Sequence, residues 1–259
     1  MSSEVRSAEW ALHRRAASAC VAAREAAVAG DFHAWEQEGV LAVSVTDSSL
    51  DFLSTLSGIG RETVPVAIDL VRRSVRNGVR PTVVVSTELG EEMETALRAG
   101  GLVRAGDRLL ALRRLDTTPG STSGADQGVV PVAGNGAALD AFLAILLAGY
   151  GVDGVVAAFI EAEHRLPIMR RFLVLERTVP IAAAAMTIHG EVAVLGGAST
   201  LREYRGRGAQ SRLLRHRLRV AAEAGCGLAV ATAGPESVSA ANLRRAGFRL
   251  HRRSAWTRA

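Results

Sequence analysis

The sequence contains no lysine and few aromatic residues. All 31 of its basic residues are arginine, and aromatic side chains make up 4% of its 259 residues. Proteins that bind single-stranded nucleic acid combine basic side chains with aromatic ones on which bases stack, and this chain has little of the second kind. We therefore expect no nucleic-acid partner, although the formal net charge is +5. Arginines spread along the chain suit an anionic small ligand, because the guanidinium group matches the geometry of phosphate.

Cysteines and long apolar runs are also scarce. Cys20 and Cys226 are the only cysteines, so they give no metal-binding spacing and fit a reducing compartment. The longest apolar stretch, residues 141–152, is shorter than the roughly 20 residues that cross a bilayer. The first residues carry charges where a secretory signal has an apolar core. These absences predict a cytoplasmic protein with no metal and no membrane partner.

The composition and one polar segment predict two domains. Hydrophobic residues make up 48% of the chain and charged residues 22%, which is typical of globular proteins. Residues 116–128 (DTTPGSTSGADQG) are rich in Gly, Ser, Thr and Pro and show no apolar periodicity. Such composition is typical of a linker. We predict a first domain over residues 1–115, a linker over 116–128 and a second domain over 129–259.

Apolar periodicity predicts alternating helices and strands in both halves. The first half shows helices over residues 8–29, 63–76 and 91–98, and strands over 40–45, 82–86 and 108–112. The second half shows helices over 137–147, 155–164, 209–224 and 237–245, and strands over 172–175, 179–188, 191–200, 228–232 and 248–256. The predicted fold class is α/β (α+β).

An internal repeat supports the two-domain organisation. Residues 77–101 align without a gap on residues 224–248, and both copies read as glycine, strand, turn and helix. The first copy ends in Arg98-Ala99-Gly100 and the second in Arg245-Ala246-Gly247. We interpret this ordered match as a duplicated domain, although two Ala-rich helices also resemble each other by chance.

The stretch ASTLREYRGRGAQS, residues 198–211, places an Arg- and Gly-rich turn between a long apolar strand and a long helix. Gly206 and Gly208 let the backbone turn tightly and approach a ligand. The first N–H groups of the following helix have no partner within it, and the helix dipole adds positive potential at the same end. This arrangement predicts a pyrophosphate site.

The same residues resemble the GNAT superfamily of acyl-CoA-dependent N-acetyltransferases, whose pyrophosphate loop reads Gln/Arg-x-x-Gly-x-Gly/Ala at the start of a helix. The order of elements after the loop is also similar, so the resemblance covers residues 129–259. It implies two GNAT-like domains, each a mixed, mostly antiparallel sheet flanked by helices, with acetyl-CoA or another acyl-CoA as co-substrate. It further implies that the cofactor is bound by Ala198, Ser199, Thr200, Arg205, Gly206, Arg207, Gly208, Ala209, Gln210 and Ser211.

The chain departs from the family pattern at the catalytic positions. The family often has a Tyr that protonates the thiolate of CoA, and Leu243 stands at that position. Ser239 lies nearby and is a candidate to cap the helix, to contact the cofactor or to donate a proton. Glu161, Glu163 and His164 lie near the end of the helical region that covers the acceptor site in this family. We predict Ser239, Glu161 and Glu163 as catalytic candidates. The alternative is a helix cap alone for Ser239 and a solvated helix position for each glutamate.

The first half lacks the anion loop. Its counterpart reads Gly58-Ile59-Gly60-Arg61-Glu62-Thr63, with Gly58 in place of Arg205. We therefore expect a degenerate GNAT-like first domain that shapes the acceptor cleft or pairs with the active domain. The implied function is acyl transfer to an amine, on a small molecule in our first hypothesis, by a monomer or homodimer. The alternatives are a protein-lysine or N-terminal acetyltransferase and a non-catalytic acyl-CoA sensor.

Overall fold

The computed structural model describes residues 2–86, 90–116 and 128–258. Its α-helices are α1 (Ser3–Glu25), α2 (Val64–Arg76), α3 (Gly90–Ala99), α4 (Ala137–Tyr150), α5 (Gly154–Arg165), α6 (Ala209–Glu223) and α7 (Val238–Arg245). Its strands are β1 (Phe32–Gln37), β2 (Val40–Val45), β3 (Thr55–Ser57), β4 (Thr82–Ser86), β5 (Leu102–Arg114), β6 (Val129–Val132), β7 (Arg170–Glu176), β8 (Val179–His189), β9 (Val192–Thr200), β10 (Leu228–Ala233) and β11 (Arg249–Arg258).

The strands form one sheet in the order β1-β2-β3-β4-β11-β5-β10-β9-β8-β7-β6. Two neighbouring pairs are parallel, β3 with β4 and β9 with β10, and the other pairs are antiparallel. Each half therefore contributes a run of antiparallel strands that ends in one parallel pair. This architecture confirms the predicted class, a mixed and mostly antiparallel sheet flanked by helices, and its two halves agree with the predicted repeat.

The last strand of each half lies in the sheet of the other half. β5 ends the first half but pairs with β10, from Leu228–Arg114 to Ala233–Leu109. β11 ends the chain but pairs with β4 of the first half, and the two exchanged strands pair with each other. Trp256 on β11 is fully buried in the core of the first half. The two halves thus share one continuous sheet, which the sequence did not predict.

Helices cover both faces of the second half's strands. Ala182, Ala184 and Met186 of β8 pack in the core under α6 and α7, whereas the alternate residues Ala183 and Ala185 pack against α4. This alternation follows from the two-residue period of a strand. Helix α1 of the first half lies on the same face as α4, because it packs on Val192 and Val194 of β9. The first half therefore covers part of the second half's sheet.

The predicted elements are present, but some boundaries and three strands differ. Helix α1 begins at Ser3, five residues earlier than predicted, because Ser2 accepts a hydrogen bond from the Val5 amide and caps it. It ends at Glu25, and Ala27 takes a positive φ of 51° just beyond it. The sequence missed β1, β3 and β6. The predicted linker, 116–128, lies outside the described residues except at its two ends, 116 and 128.

Candidate active site

The two parallel strands of the second half separate partway along their length. β9 and β10 pair from Val192–Leu228 to Val194–Val230, whereas β9 continues to Thr200 and β10 to Ala233. The register between β8 and β9 shifts between Ala183 and Ala185, where Gly197 adopts a φ of +57°. This bulge is consistent with the separation, because bulges bend a strand and increase its local twist. The sheet therefore has an opening between β9 and β10.

The predicted anion loop lies beyond the end of β9. Gly206 and Gly208 have φ values of +80° and +78°, a conformation that glycine adopts without steric cost. Gly208 is the N-cap of α6, and no side chain of the described residues caps that end. The first amides of α6 are therefore available to an anion.

Side chains of the loop tie it to β9. Arg205 donates from Nε to the Thr200 carbonyl at 3.2 Å, and Gln210 donates from Nε2 to Thr200 Oγ1 at 2.9 Å. Gln210, which replaces the usual Gly or Ala of the family, thus turns back toward the strand. Arg207 lies over the ring of Tyr204 at 5.2 Å and pairs with Glu176 at 3.4 Å. These contacts attach the loop to the end of β9 and to β7, beside the opening in the sheet.

A basic groove continues from this loop between α6 and α7. It has a volume of about 840 Å³. We call it the basic groove, and its polar lining includes Ser211, Arg215, Asn242, Arg245, Arg113 and Arg114. Two of these arginines come from β5 of the first half. The groove therefore offers positive charge next to the helix N-terminus, which favours an anionic ligand.

Two of the basic residues of α6 are buried and do not face solvent. Arg217 is 4% exposed and His216 is 8% exposed. Arg217 donates to the carbonyls of Leu213, Ala185 and Gly196. Its burial lowers the pKa of the guanidinium to about 10. Arg217 therefore braces β8 and β9 beside the bulge and does not reach phosphate.

A second cavity lies on the opposite face of the sheet, between the two halves. It has a volume of about 530 Å³ and is lined by α1, β2, the 3₁₀ turn Ser48–Leu53, the end of α4, α5, Gly197 of β9 and Thr232 of β10. We call it the α1–α5 cleft. Its floor contains the opening between β9 and β10, so a ligand bound at the α6 N-terminus would reach this cleft through the sheet.

Three polar side chains form a buried network in this cleft. Arg15 of α1 donates from Nε to Glu163 Oε1 at 2.8 Å, and Glu163 Oε2 lies 3.5 Å from His164 Nδ1. Burial acts to raise the pKa of Glu163, but the charge of Arg15, the neighbouring His164 and the hydrogen bond from Arg15 together lower it. Glu163 is therefore a carboxylate at neutral pH.

His164 is held in one tautomer. Its Nδ1 lies 2.8 Å from the carbonyl oxygen of Ile160, and because a carbonyl only accepts, Nδ1 carries the proton. Nε2 is buried and has no hydrogen-bond partner among the described residues. Burial lowers the pKa of His164 below its ordinary 6.5, against the raising effect of Glu163. The ring is therefore neutral at pH 7 and keeps a lone pair on Nε2.

That lone pair lies against the bulge of β9. A Cβ atom added to Gly197 would lie 2.2 Å from His164 Nε2, so only glycine leaves room for the imidazole. The next residue, Ala198, donates its N–H to the hydroxyl of Tyr150 at 3.0 Å. Burial raises the pKa of Tyr150, although this hydrogen bond acts to lower it. A proton acceptor, a backbone donor and a phenol therefore surround the Gly197–Ala198 bulge.

The structure separates the three predicted catalytic candidates. Glu163 lines the cleft, whereas Glu161 is not among its lining residues. Ser239 is exposed in the first turn of α7. The expectation that Ser239 caps this helix is wrong, because Ser237 is the N-cap and accepts from the Ala240 amide at 3.1 Å. Sequence reasoning did not find Arg15 or Tyr150, which reach the cleft from elements distant in the chain.

The corresponding loop of the first half is closed by its own side chains. The Gly60 amide donates to Thr63 Oγ1 at 2.9 Å, and Pro65, which has no N–H, lies in the first turn of α2. A Cβ atom on Gly100 would meet the side chain of Ile68 at 2.6 Å, so Ile68 packs closely on the end of α3, and both residues line the groove between α2 and α3. This loop offers fewer free amides to an anion than its counterpart in the second half.

None of the helices in residues 2–86, 90–116 and 128–258 is long and apolar enough to cross a membrane. Within the same residues, no group of three or more His, Cys, Asp or Glu side chains is arranged to hold a metal ion.

Comparisons with known proteins agree with this architecture. Residues 140–248 match the model of the Acetyltransferase (GNAT) family. The chain is similar to a GCN5-related N-acetyltransferase from Kribbella flavida, at a TM-score of 0.59 and 20% identity over 92% of this chain and 95% of that one. A GCN5-related N-acetyltransferase from Sphaerobacter thermophilus gives a TM-score of 0.62 and 12% identity over 85% and 76%.

A third solved structure shares the two-half organisation. It is a tandem GNAT protein from the clavulanic acid biosynthesis pathway, with a TM-score of 0.53 and 13% identity over 97% of this chain and 94% of that one. At these identities the three structures support the fold alone. A comparison with curated protein sequences gives no match to the chain.

Proposed function

We propose that this chain, whose residues 140–248 match the Acetyltransferase (GNAT) family model, is an N-acetyltransferase. It moves an acetyl or related acyl group from acyl-CoA to the amine of a small molecule, by direct attack in a ternary complex. The observation that carries this proposal is the unpartnered Nε2 of His164 beside the Ala198 N–H, at the opening between β9 and β10.

Acyl-CoA fits the second half by the chemistry of its donors. The amides at the start of α6 and the arginines of the basic groove, Arg215 and Arg245 among them, would hold the phosphates. The separated part of β9, from Ala198 to Thr200, would hold the pantetheine arm through its backbone. Bound acyl-CoA would supply an activated thioester, which loses its thiol as the amide forms.

The residues around the bulge would supply the proton transfers. His164 Nε2 accepts the proton of the attacking amine, directly or through one water, and Glu163 positions the imidazole from the other side. The Ala198 N–H would release the Tyr150 hydroxyl and donate a hydrogen bond to the thioester carbonyl oxygen instead, which polarises the carbonyl. The Tyr150 hydroxyl, released from Ala198, would protonate the departing thiolate, in place of the family's tyrosine at the position of Leu243.

A second candidate function is an acyl-CoA sensor without chemistry. Leu243 favours it, because this buried side chain cannot act as an acid. Release of free thiol from acetyl-CoA in the presence of amines separates the two functions, since a sensor binds the thioester and leaves it intact.

We expect Ser211→Glu to weaken acetyl-CoA binding about a hundredfold. Ser211 is exposed in the first turn of α6 and lines the basic groove. A carboxylate there would repel a bound phosphate, and two unit charges 4 Å apart near a protein surface interact by ~4 kcal/mol before salt screens them. A glutamate in a first helical turn favours the helix itself, so the fold should be retained.

The matched control for this variant is Ser211→Gln, which has nearly the same shape and no charge. Calorimetric titration should give it an affinity within a few-fold of the unmodified protein. Equal affinities for Ser211→Glu and Ser211→Gln would show that the phosphates bind elsewhere.

The same titration should saturate at one acetyl-CoA per chain. In the first half the Gly60 amide is bonded to Thr63, and Pro65 offers no donor. Two equivalent sites per chain would contradict this expectation and would make both halves functional domains. Ser211→Glu identifies the half that is titrated, because it should weaken binding at the single site about a hundredfold.

A further inference from the structure

The wall of the α1–α5 cleft is apolar, although its floor is polar. Side chains from both halves form it, among them Leu12, Ala16, Phe52, Leu53, Val156 and Ile160. Phe52 is 51% exposed and Tyr150, at the same cleft, is 43% exposed. The chain has 11 aromatic residues in all, and two of them leave much of their surface uncovered here. Exposed apolar surface inside a cavity of this size is typical of a small-molecule site.

Among the residues that the structure describes, those that line the cleft carry no uncompensated negative charge. Glu163 is the one carboxylate of this described lining, and Arg15 already pairs with it at 2.8 Å. Glu163 therefore cannot serve as the counter-ion of a cationic ligand unless its buried ion pair with Arg15 breaks, and breaking a buried ion pair is costly. A ligand with several ammonium groups would lose hydration in this cleft and find no carboxylate to replace it.

From these two observations we propose that the acceptor is an amine with an apolar body, such as an arylalkylamine, and not a polycationic amino sugar. The apolar body packs between α1, α5 and the 3₁₀ turn Ser48–Leu53, and the amino group points to His164 beside Gly197. That the ligand is the acyl acceptor rests on the proposed acyl transfer. That the ligand has an apolar body rests on the lining of the cleft alone.

The test compares three amines with acetyl-CoA as donor and the full chain as enzyme. 2-Phenylethylamine has the proposed apolar body, ethanolamine replaces it with a hydroxyl, and kanamycin is a polycation. We expect kcat/KM for 2-phenylethylamine to exceed that of the other two by about a hundredfold or more, because even one methylene in an apolar pocket is worth roughly ten- to two-hundredfold.

A pair of variants on α5 tests whether the apolar wall of the cleft causes the preference for 2-phenylethylamine. Val156→Asp places a carboxylate on the apolar wall and should lower kcat/KM for 2-phenylethylamine at least tenfold, with unchanged affinity for acetyl-CoA. Ala158→Asp makes the same charge change at an exposed position that does not line the cleft, and should leave kcat/KM within about twofold. Equal losses in the two variants would overturn the assignment of this wall.

Other outcomes separate this inference from the proposed function. Efficient acetylation of kanamycin or ethanolamine, at or above the rate of 2-phenylethylamine, overturns the inference and leaves acyl transfer intact. Calorimetric binding of 2-phenylethylamine that Val156→Asp removes, without any acetylated product, supports the inference and overturns the proposed function. If octanoyl-CoA competes with 2-phenylethylamine while acetyl-CoA does not, the cleft holds the donor's acyl chain and the inference fails.

Discussion

Replacing His164 with glutamine should lower kcat by about a hundredfold to ten-thousandfold, the range expected for loss of a general base, while acetyl-CoA binds as before. The variant keeps a polar side chain of similar length but has no basic nitrogen. His164 is 2% exposed, so the thermal midpoint of the variant has to be measured together with its rate. A folded His164→Gln protein with unchanged turnover would remove the imidazole from the mechanism.

His189→Gln is the matched control for this variant. Burial also lowers the pKa of His189, but its Nε2 is bonded to Thr187 Oγ1 at 3.0 Å and it does not line the α1–α5 cleft. We expect its turnover within about twofold of the unmodified protein. Comparable losses in the two variants would point to a general sensitivity of the sheet and not to base catalysis.

The pH dependence distinguishes a base from a structural histidine. Because the pKa of His164 in the folded protein is lowered from 6.5, the rate should be insensitive to this group above about pH 6.5 and fall below it as the ring is protonated. The folded state also binds fewer protons at this site than the unfolded state, so the free energy of unfolding should decrease as the pH falls through the same window. His164→Gln should remove both effects.

Local signals predicted much of the second half from its sequence. Strand β8 and helix α6 begin at the predicted residues. The long apolar run of β8 favours a strand, and the two glycines before Ala209 mark a turn at which a helix can start. Strands β1, β3 and β6 were missed. β3 has three residues, and β6 contains Pro131 at an edge of the sheet, a position that tolerates proline but weakens a strand signal.

The candidate site depends on contacts that no local pattern encodes. Arg15 and Glu163 are separated by 148 positions in the sequence, and their pairing follows from α1 of the first half packing on α5 of the second. The role of Tyr150 likewise depends on the end of α4 lying over β9, where Gly149 packs against Ser199. Sequence reasoning placed Glu163 and His164 near the acceptor site only through the resemblance to a family.

The exchange of the last strands predicts that the second half does not form a functional unit alone. A fragment of residues 128–259 lacks β5, which lies between β10 and β11 and pairs with both. The edge of β10 would be unpaired, and Trp256 would lose the first-half core in which it is fully buried. The fragment would also lack Arg15 and the wall of the cleft that α1 forms. We expect this fragment to aggregate or to form dimers, with no acetyl transfer.

Co-expression of residues 1–116 with residues 128–259 should restore activity, because every strand of the sheet is then present and only the peptide between the halves is missing. Trp256 is the one tryptophan of the second fragment, and Trp10 and Trp35 belong to the first. After the spectrum of the first fragment is subtracted, the remaining fluorescence should shift to shorter wavelength on mixing, as β11 enters the other core. Co-purification through a tag on one fragment measures the association, and acetyl transfer measures the site. A second fragment that is monomeric, cooperatively folded and active alone would contradict the requirement for β5, since its own β11 would then have to fold back beside β10.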